Sequence, residues 1–255
     1  MDFTCKARIV ADGHKMPEPS ISPYAGAVSR DTVQIAFTYA ALNDLDICAS
    51  DIKNAYLQAS NSEKYYIICG PEFGTENIGK VTIVVQALYG GKVAGANFCN
   101  HLRDCMEHLG YESCLADPDL WMKVGVKDNN DRYWHYILLY VDNMLSIGIE
   151  LQGQIEAIGK YFQMNPESIG PPNIYLGGKV SKIKLQNRVD AGAFSSSQYV
   201  QAAVKNVEDY LNKQNMKLKN KVRVPFTTGY KPELDGSKEL DDNAASYFQS
   251  LIGIL

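Results

Sequence analysis

Apolar and polar positions change period several times along the chain, and each change marks an element. Residues 5–11 alternate at period two, which predicts a short strand. Three prolines within residues 14–23 predict a loop. Ser29 stands as an N-cap, and Val33, Ala36, Phe37, Ala40 and Ala41 follow at helical spacing to about Leu42. Residues 46–51 read as a strand, followed by a short turn or helix to Leu57. Residues 65–69 read as a second strand, closed by Gly70-Pro71. The run at 81–85 is apolar throughout, which predicts a buried strand. After Leu88-Tyr89-Gly90-Gly91, one helical face carries Ala94, Phe98, Leu102, Cys105, Met106 and Leu109, with Gly110 as its stop. Strands at 120–126 and 133–140 flank the turn Asp128-Asn129-Asn130-Asp131, and a strand at 144–149 follows the turn formers Asp142 and Asn143.

Beyond Glu150 the pattern predicts a helix to about Phe162, a Gly-Pro-Pro loop at 170–172 and two strands within 173–184. A last helix runs over about 197–212, with Tyr199, Ala203, Val207, Tyr210 and Leu211 on its core face. Residues 213–223 are basic; 233–242 are acidic and expected to be exposed. Helices and strands mix without regular alternation, so the fold class is α+β rather than a doubly wound sheet.

The 255 residues, 45% hydrophobic, suffice for one large or two modest domains and argue against disorder. No apolar run is long enough to span a membrane, and the first residues hold no apolar segment, so the chain is expected to be intracellular and not secreted. Six cysteines without a C-x-x-C pair read as reduced thiols rather than a zinc site. The net charge of −4 argues against a uniformly basic nucleic-acid coat. It conceals a local asymmetry: residues 201–232 hold seven Lys and Arg against two acids, while 233–242 hold five acids against one Lys.

Two carboxylates stand out by position. Asp51 ends an alternating strand, and Asp142 sits at the tip of a hairpin between strongly apolar strands. Such a pair admits two readings. It is either a solvated strand cap plus an ordinary Asp-Asn turn, or a site where carboxylates from different elements converge on a divalent cation for phosphoryl transfer.

Seven stretches in order favour the second reading: Lys6-Ala7-Arg8-Ile9-Val10-Ala11, Asp51-Ile52-Lys53-Asn54-Ala55-Tyr56-Leu57, Ala87-Leu88-Tyr89-Gly90, Ala116-Asp117-Pro118-Asp119, Tyr140-Val141-Asp142, Tyr175-Leu176-Gly177 and Leu251-Ile252-Gly253. Together they resemble the reverse transcriptase of copia-type LTR retrotransposons. The wording around Gly90 and Gly170 looks like the branch found in algae, diatoms and some fungi. The resemblance implies a right-hand polymerase fold: partial fingers and palm over 1–195, a thumb-like helix and basic segment over 196–225, and the start of a connection over 226–255.

It also implies roles. Asp51, Asp142 and Asn143 would be the catalytic and metal-binding set for two Mg2+ or Mn2+ ions. Lys6 and Arg8 would contact the triphosphate. Tyr56 would be a steric gate against ribose, whose alternative reading is a core aromatic. Tyr89, Gly90 and Lys92 would lie beside the dNTP. Tyr175, Leu176 and Gly177 would form the primer grip, and Lys213, Lys217, Lys219, Lys221 and Arg223 would meet nucleic-acid phosphates. The implied partners are an RNA or DNA template with its primer, and dNTPs; the RNase H and integrase portions of a Pol polyprotein are expected to be missing.

The hairpin departs from the family's Tyr-Val-Asp-Asp, because Asn143 stands at the fourth position. A neutral amide there predicts weakened metal binding. With ends that look cut, this leaves an attenuated polymerase or a non-catalytic remnant that at most binds nucleic acid.

Overall fold

The structure, a computed structural model, describes residues 8–184, 186, 190–218, 231, 234 and 236–254. In chain order it forms α1 (Arg30–Leu42), β1 (Asp46–Asp51), β2 (Ser60–Ile68), β3 (Val81–Gln86), α2 (Ala94–His108), β4 (Glu112–Ser113), β5 (Leu120–Val126), β6 (Arg132–Tyr140) and β7 (Asn143–Gly148). There follow α3 (Leu151–Ile158), β8 (Ile174–Tyr175), β9 (Gly178–Lys184), β10 (Asp190–Ser195), α4 (Ser197–Lys213) and α5 (Asp242–Ile254). The chain divides into two compact units, Met1–Asn173 with Lys182–Gly192, and Ile174–Ser181 with Ala193–Leu255.

The first unit is built on an antiparallel sheet of order β1-β7-β6-β5-β4. Its central strands are apolar on both faces because both faces are covered. On one, Trp121, Ile137, Leu139 and Met144 join Phe98, Leu102, Cys105 and Met106 of α2, with Ile158 and Phe162, in a single buried cluster. Leu138, Leu145 and Ile147 alternate to the other face and are equally buried. There α1 packs on β7, and the Tyr39 and Tyr136 ring centroids lie 4.7 Å apart. Ser29 starts α1 by accepting the Thr32 N–H at 3.1 Å, and Gly110, at φ 79°, follows the end of α2.

Four expectations need correction. Residues 8–11 form no strand; Ala11 donates its N–H to the Tyr89 carbonyl at 2.7 Å. The apolar run at 81–85 is not buried, with Val81 and Val85 each 68% exposed. Among the described residues it pairs only with β2 in a two-stranded sheet, so one apolar face meets solvent. The turn between β6 and β7 is Val141-Asp142, because Asn143 already pairs with Tyr140 as the first residue of β7. Tyr199 is 43% exposed, and α4 buries no residue fully.

In the second unit, β8 and β9 make a hairpin through Leu176 (φ 44°) and Gly177 (φ 75°), the two positive φ values of a type I′ turn. Tyr210 of α4 stacks on Tyr247 of α5 at 3.7 Å, and the Tyr247 hydroxyl donates to Asn206.

Candidate active site

The two singled-out carboxylates meet at one end of the five-stranded sheet. β1 runs antiparallel to β7 with Asp51 opposite Asn143, and one residue on the Ile52 N–H donates to the Asp142 carbonyl at 2.9 Å. Val141 holds φ 56°, a left-handed conformation that a β-branched side chain resists. That strained residue turns the chain so that Asp142 falls beside the end of β1. Asn143 donates its Nδ2 to Asp142 Oδ1 at 3.1 Å. Partial burial and, after it, the negative charge of Asp142 push the Asp51 carboxyl above its ordinary range, while the Asn165 side chain draws it back. Two carboxylates brought to one strand end, one of them feeling the other's charge, are the donor type a hard divalent cation takes. The third position contributes only a neutral amide, and among the described residues no group of three or more His, Cys, Asp or Glu gathers as a metal site.

An aromatic column stands beside the carboxylates. The Arg8 guanidinium lies 4.2 Å from the centre of the Tyr89 ring, and Tyr89 packs on Tyr56 with centroids 4.8 Å apart and planes tilted by 32°. Tyr56 comes from the short turn Ala55–Gln58, entered through Asn54 at φ 51°, and its inner edge meets Phe98 at 6.1 Å. Both tyrosine hydroxyls are raised above their ordinary value, chiefly by burial. Asp142 adds to this at Tyr56, and Asp142 with Asp51 at Tyr89, where Arg8 opposes them. Tyr56 therefore feels the charge of Asp142, and Tyr89 the charges of both aspartates and of Arg8.

The other residues singled out in the sequence make contacts of their own. Lys92 pairs with Glu18 at 2.8 Å. Gly90, at φ 83°, lets the chain's own Ala11 pass: a Cβ would run into the Ala11 carbonyl oxygen. The close backbone approach that this glycine permits is thus made with the N-terminal segment. Tyr175, Leu176 and Gly177 form the β8–β9 hairpin of the second unit, with Tyr175 buried. Lys213 ends α4 and Lys217 follows it, both exposed. Lys6, Lys219, Lys221 and Arg223 lie outside the described residues.

The Asp117 of the Ala-Asp-Pro-Asp stretch is structural, accepting the Ser29 N–H at 2.9 Å and the Thr32 hydroxyl at 2.6 Å. Burial pushes its carboxyl up, but hydrogen bonds from Thr32, Ser29 and Asp119 outweigh this and hold it below the ordinary value. Sequence reasoning missed Asn165 and Ser168, which contact Asp51 from a loop more than a hundred residues away. Their only signal is the turn composition of Asn165-Pro166-Glu167-Ser168.

Among the described residues no helix is long and apolar enough to cross a membrane. The family model described as reverse transcriptase (RNA-dependent DNA polymerase) matches residues 1–219. Among curated proteins, the Retrovirus-related Pol polyprotein from transposon TNT 1-94 of Nicotiana tabacum is 27% identical over 232 residues. That match covers 87% of this chain and 16% of the polyprotein, so the chain spans only a small part of that relative's length. With the family match running from the first residue through most of the chain, over both strand-end aspartates and the aromatic column beside them, the protein belongs to the reverse transcriptase family of RNA-dependent DNA polymerases.

Proposed function

We propose that the chain is the polymerase portion of a copia-type retrotransposon Pol polyprotein, of the algal and diatom branch, and that it adds dNTPs to a primer 3′-hydroxyl on an RNA or DNA template inside the cell. The observation that carries this reading is the convergence of Asp51 and Asp142, joined by the Ile52–Asp142 backbone bond, next to the Arg8–Tyr89–Tyr56 column. In this reading residues 1–195 are partial fingers and palm, 196–225 a thumb-like helix with its basic segment, and 226–255 the start of a connection.

The donor set fits divalent cations: burial and, after it, the charge of Asp142 raise the Asp51 carboxyl, and both are offset by a cation held beside it. Asp51 and Asp142 would hold the ions, with the Asn143 amide oxygen as a weaker neighbour. When bound, a pair of Mg2+ or Mn2+ ions lowers the pKa of the primer hydroxyl and neutralises charge on the triphosphate and leaving pyrophosphate. The chain's own side chains do the rest. Tyr56 would act as the steric gate, its ring leaving no room for a ribose 2′-hydroxyl. Tyr89 supports that ring from its other side, and the Arg8 guanidinium is placed to take triphosphate oxygens in a bidentate pair. Lys6 and Lys92 would add positive charge near the triphosphate, with Lys92 leaving Glu18. Tyr175-Leu176-Gly177 would set the primer end, and Lys213, Lys217, Lys219, Lys221 and Arg223 would meet phosphates of the duplex.

Asn143 makes the centre electrostatically poorer, so turnover is expected to be low. The two-carboxylate centre also favours a second reading, a folded remnant that binds nucleic acid without extending it. Primer extension on an RNA template, with Mg2+ and then Mn2+ and with Asp142→Ala as blank, separates them. Incorporation above the blank supports the polymerase. Incorporation equal to the blank refutes it and leaves the remnant.

A further inference from the structure

β1 is an outer strand of its sheet, so one edge of its backbone has no strand partner. That edge is occupied by an irregular segment. Ala49 and Gly170 exchange both backbone bonds, at 2.8 and 3.1 Å. Asn165 donates its N–H to the Asp51 carbonyl at 2.9 Å, and Lys53 donates to the Gln163 carbonyl at 2.9 Å. The Asp51 N–H donates to Ser168 Oγ at 2.8 Å, and that hydroxyl donates onward to the Asn165 carbonyl at 2.7 Å. Antiparallel pairs alternate between those that exchange backbone bonds and those that do not. With Ala49 and Asp51 both bonded outward, Asp51 and Asn143 form a pair of the second kind. Asp51 is therefore held at its N–H and its C=O by this segment alone.

The same segment reaches the tyrosine turn. Gln58 Nε2 donates to the carbonyls of Lys53 and Gln163, and its Oε1 accepts the Gln163 N–H at 2.7 Å. One loop thus fixes both the strand end that carries Asp51 and the turn that carries Tyr56. The Asn165 side chain, carried on the residue whose N–H bonds the Asp51 carbonyl, also draws the Asp51 carboxyl downward.

We infer that the segment from Gln163 to Gly170 is a brace that positions Asp51, with Ser168 and Asn165 as positioning residues that never touch substrate. Without Ser168 Oγ, a half-buried Asp51 N–H loses its acceptor and the strand end is free to twist. The carboxylate then no longer meets Asp142 at a fixed separation. Removing such outer partners costs about tenfold or more in metal affinity or activity. The inference rests on the reading of Asp51 as a metal-bearing carboxylate, and its test keeps the two apart.

The test compares wild type, Ser168→Ala, Ser168→Thr and Asn165→Ala in three measurements: hydrogen exchange at the Asp51 amide, Mn2+ binding by electron paramagnetic resonance, and single-nucleotide addition. In Ser168→Ala, Asp51 exchange rises at least about tenfold, Mn2+ binding weakens about tenfold, and kcat falls while the KM for dNTP stays. Ser168→Thr keeps the hydroxyl and returns all three to wild type. Asn165→Ala leaves every backbone bond in place and weakens Mn2+ binding alone, which keeps the test open if Ser168→Ala does not fold. Exchange, binding and kcat all unchanged in both alanine variants overturn the brace. Wild type that neither binds Mn2+ nor extends a primer overturns the polymerase reading instead, and Asp51 exchange then decides the brace by itself.

Discussion

Replacing Asn143 by Asp should destabilise the chain in the absence of metal and make it gain more from an added divalent cation than wild type does. Asn143 lies opposite Asp51 in a pair that exchanges no backbone bonds, the closer of the two antiparallel arrangements. The side chains of such a pair start about 5 Å apart. Two unit charges at that distance repel by about 3 kcal/mol at an effective dielectric of 20. Position 143 is exposed, so solvent screening reduces this to about 1 kcal/mol. Asn143→Asp also loses the Nδ2 bond to Asp142 and sets a like charge in its place, for about another 1 kcal/mol. In EDTA the variant should therefore unfold about 4–8 °C below wild type, at about 2 kcal/mol in a chain of this size. A cation at one hundred times its dissociation constant stabilises by about 2.7 kcal/mol, and three carboxylates bind it more tightly than two. At a fixed Mg2+ concentration the variant should gain more than wild type, and its primer-extension rate should exceed wild type's. The assay is thermal unfolding in EDTA and across an Mg2+ and Mn2+ titration, with extension rates measured in parallel. Equal melting in EDTA, or equal stabilisation of both proteins by metal, would refute the proximity argument. Equal extension rates would sink the expectation that Asn143 attenuates turnover.

Three further outcomes are expected. Tyr56→Val should raise ribonucleotide incorporation relative to dNTP by about tenfold, which competition assays detect; unchanged discrimination removes the gate assignment. Burial and then the Lys123 charge hold His135 down to about 4 from 6.5. The unfolded chain therefore takes up this proton first. The stability gained by keeping the ring neutral is fully present above pH 6.5, falls as the pH drops toward 4 and levels below that. The loss is about 3 kcal/mol, and His135→Gln should flatten the corresponding slope in urea unfolding; parallel slopes would show that His135 does not carry it. Asp117→Ala should cost about 1–2 kcal/mol by stripping the acceptor from Ser29 and Thr32 at the start of α1, and an unshifted melting temperature contradicts that role.

Local chemistry made some elements readable and left others silent. α1 and β1 fall where the pattern puts them because a serine cap and an alternating run are local signals. The hairpin was misplaced by a residue. Asp-Asn has turn chemistry and valine has strand chemistry, yet pairing with β1 draws Asn143 into β7 and forces Val141 to a positive φ. The apolar run of β3 states that its residues avoid water; it cannot state that nothing lies on one face. α5 carried a helical signal in Tyr247 and Leu251, four apart, overshadowed by the acidic stretch before it. Asp51 and Asp142 were legible as candidates because carboxylates are rare beside such apolar strands. Ser168 and Asn165 were not, because an Asn-Pro turn says nothing of a strand end folded against it from a distant part of the chain.

The misread turn and the missed brace belong to one physical problem. Bringing two carboxylates together costs free energy, and so does holding a valine at φ 56°. A strand end bearing both costs would fray unless its backbone were fixed from outside the ladder. The bonds from Ser168 and Asn165 supply that fixation, and the Gln58 side chain extends it to the turn beneath Tyr56. The repulsion left at the centre is what a cation relieves. The net charge of −4 is then no objection to a nucleic-acid enzyme. Part of it is an acidic stretch remote in sequence from the site, and in the proposed reading part sits in aspartates that would draw in a divalent ion. Changing the exposed acids Glu239, Asp241 and Asp242 should therefore leave metal affinity untouched, while any change at Asp51, Asp142 or Asn143 should move it.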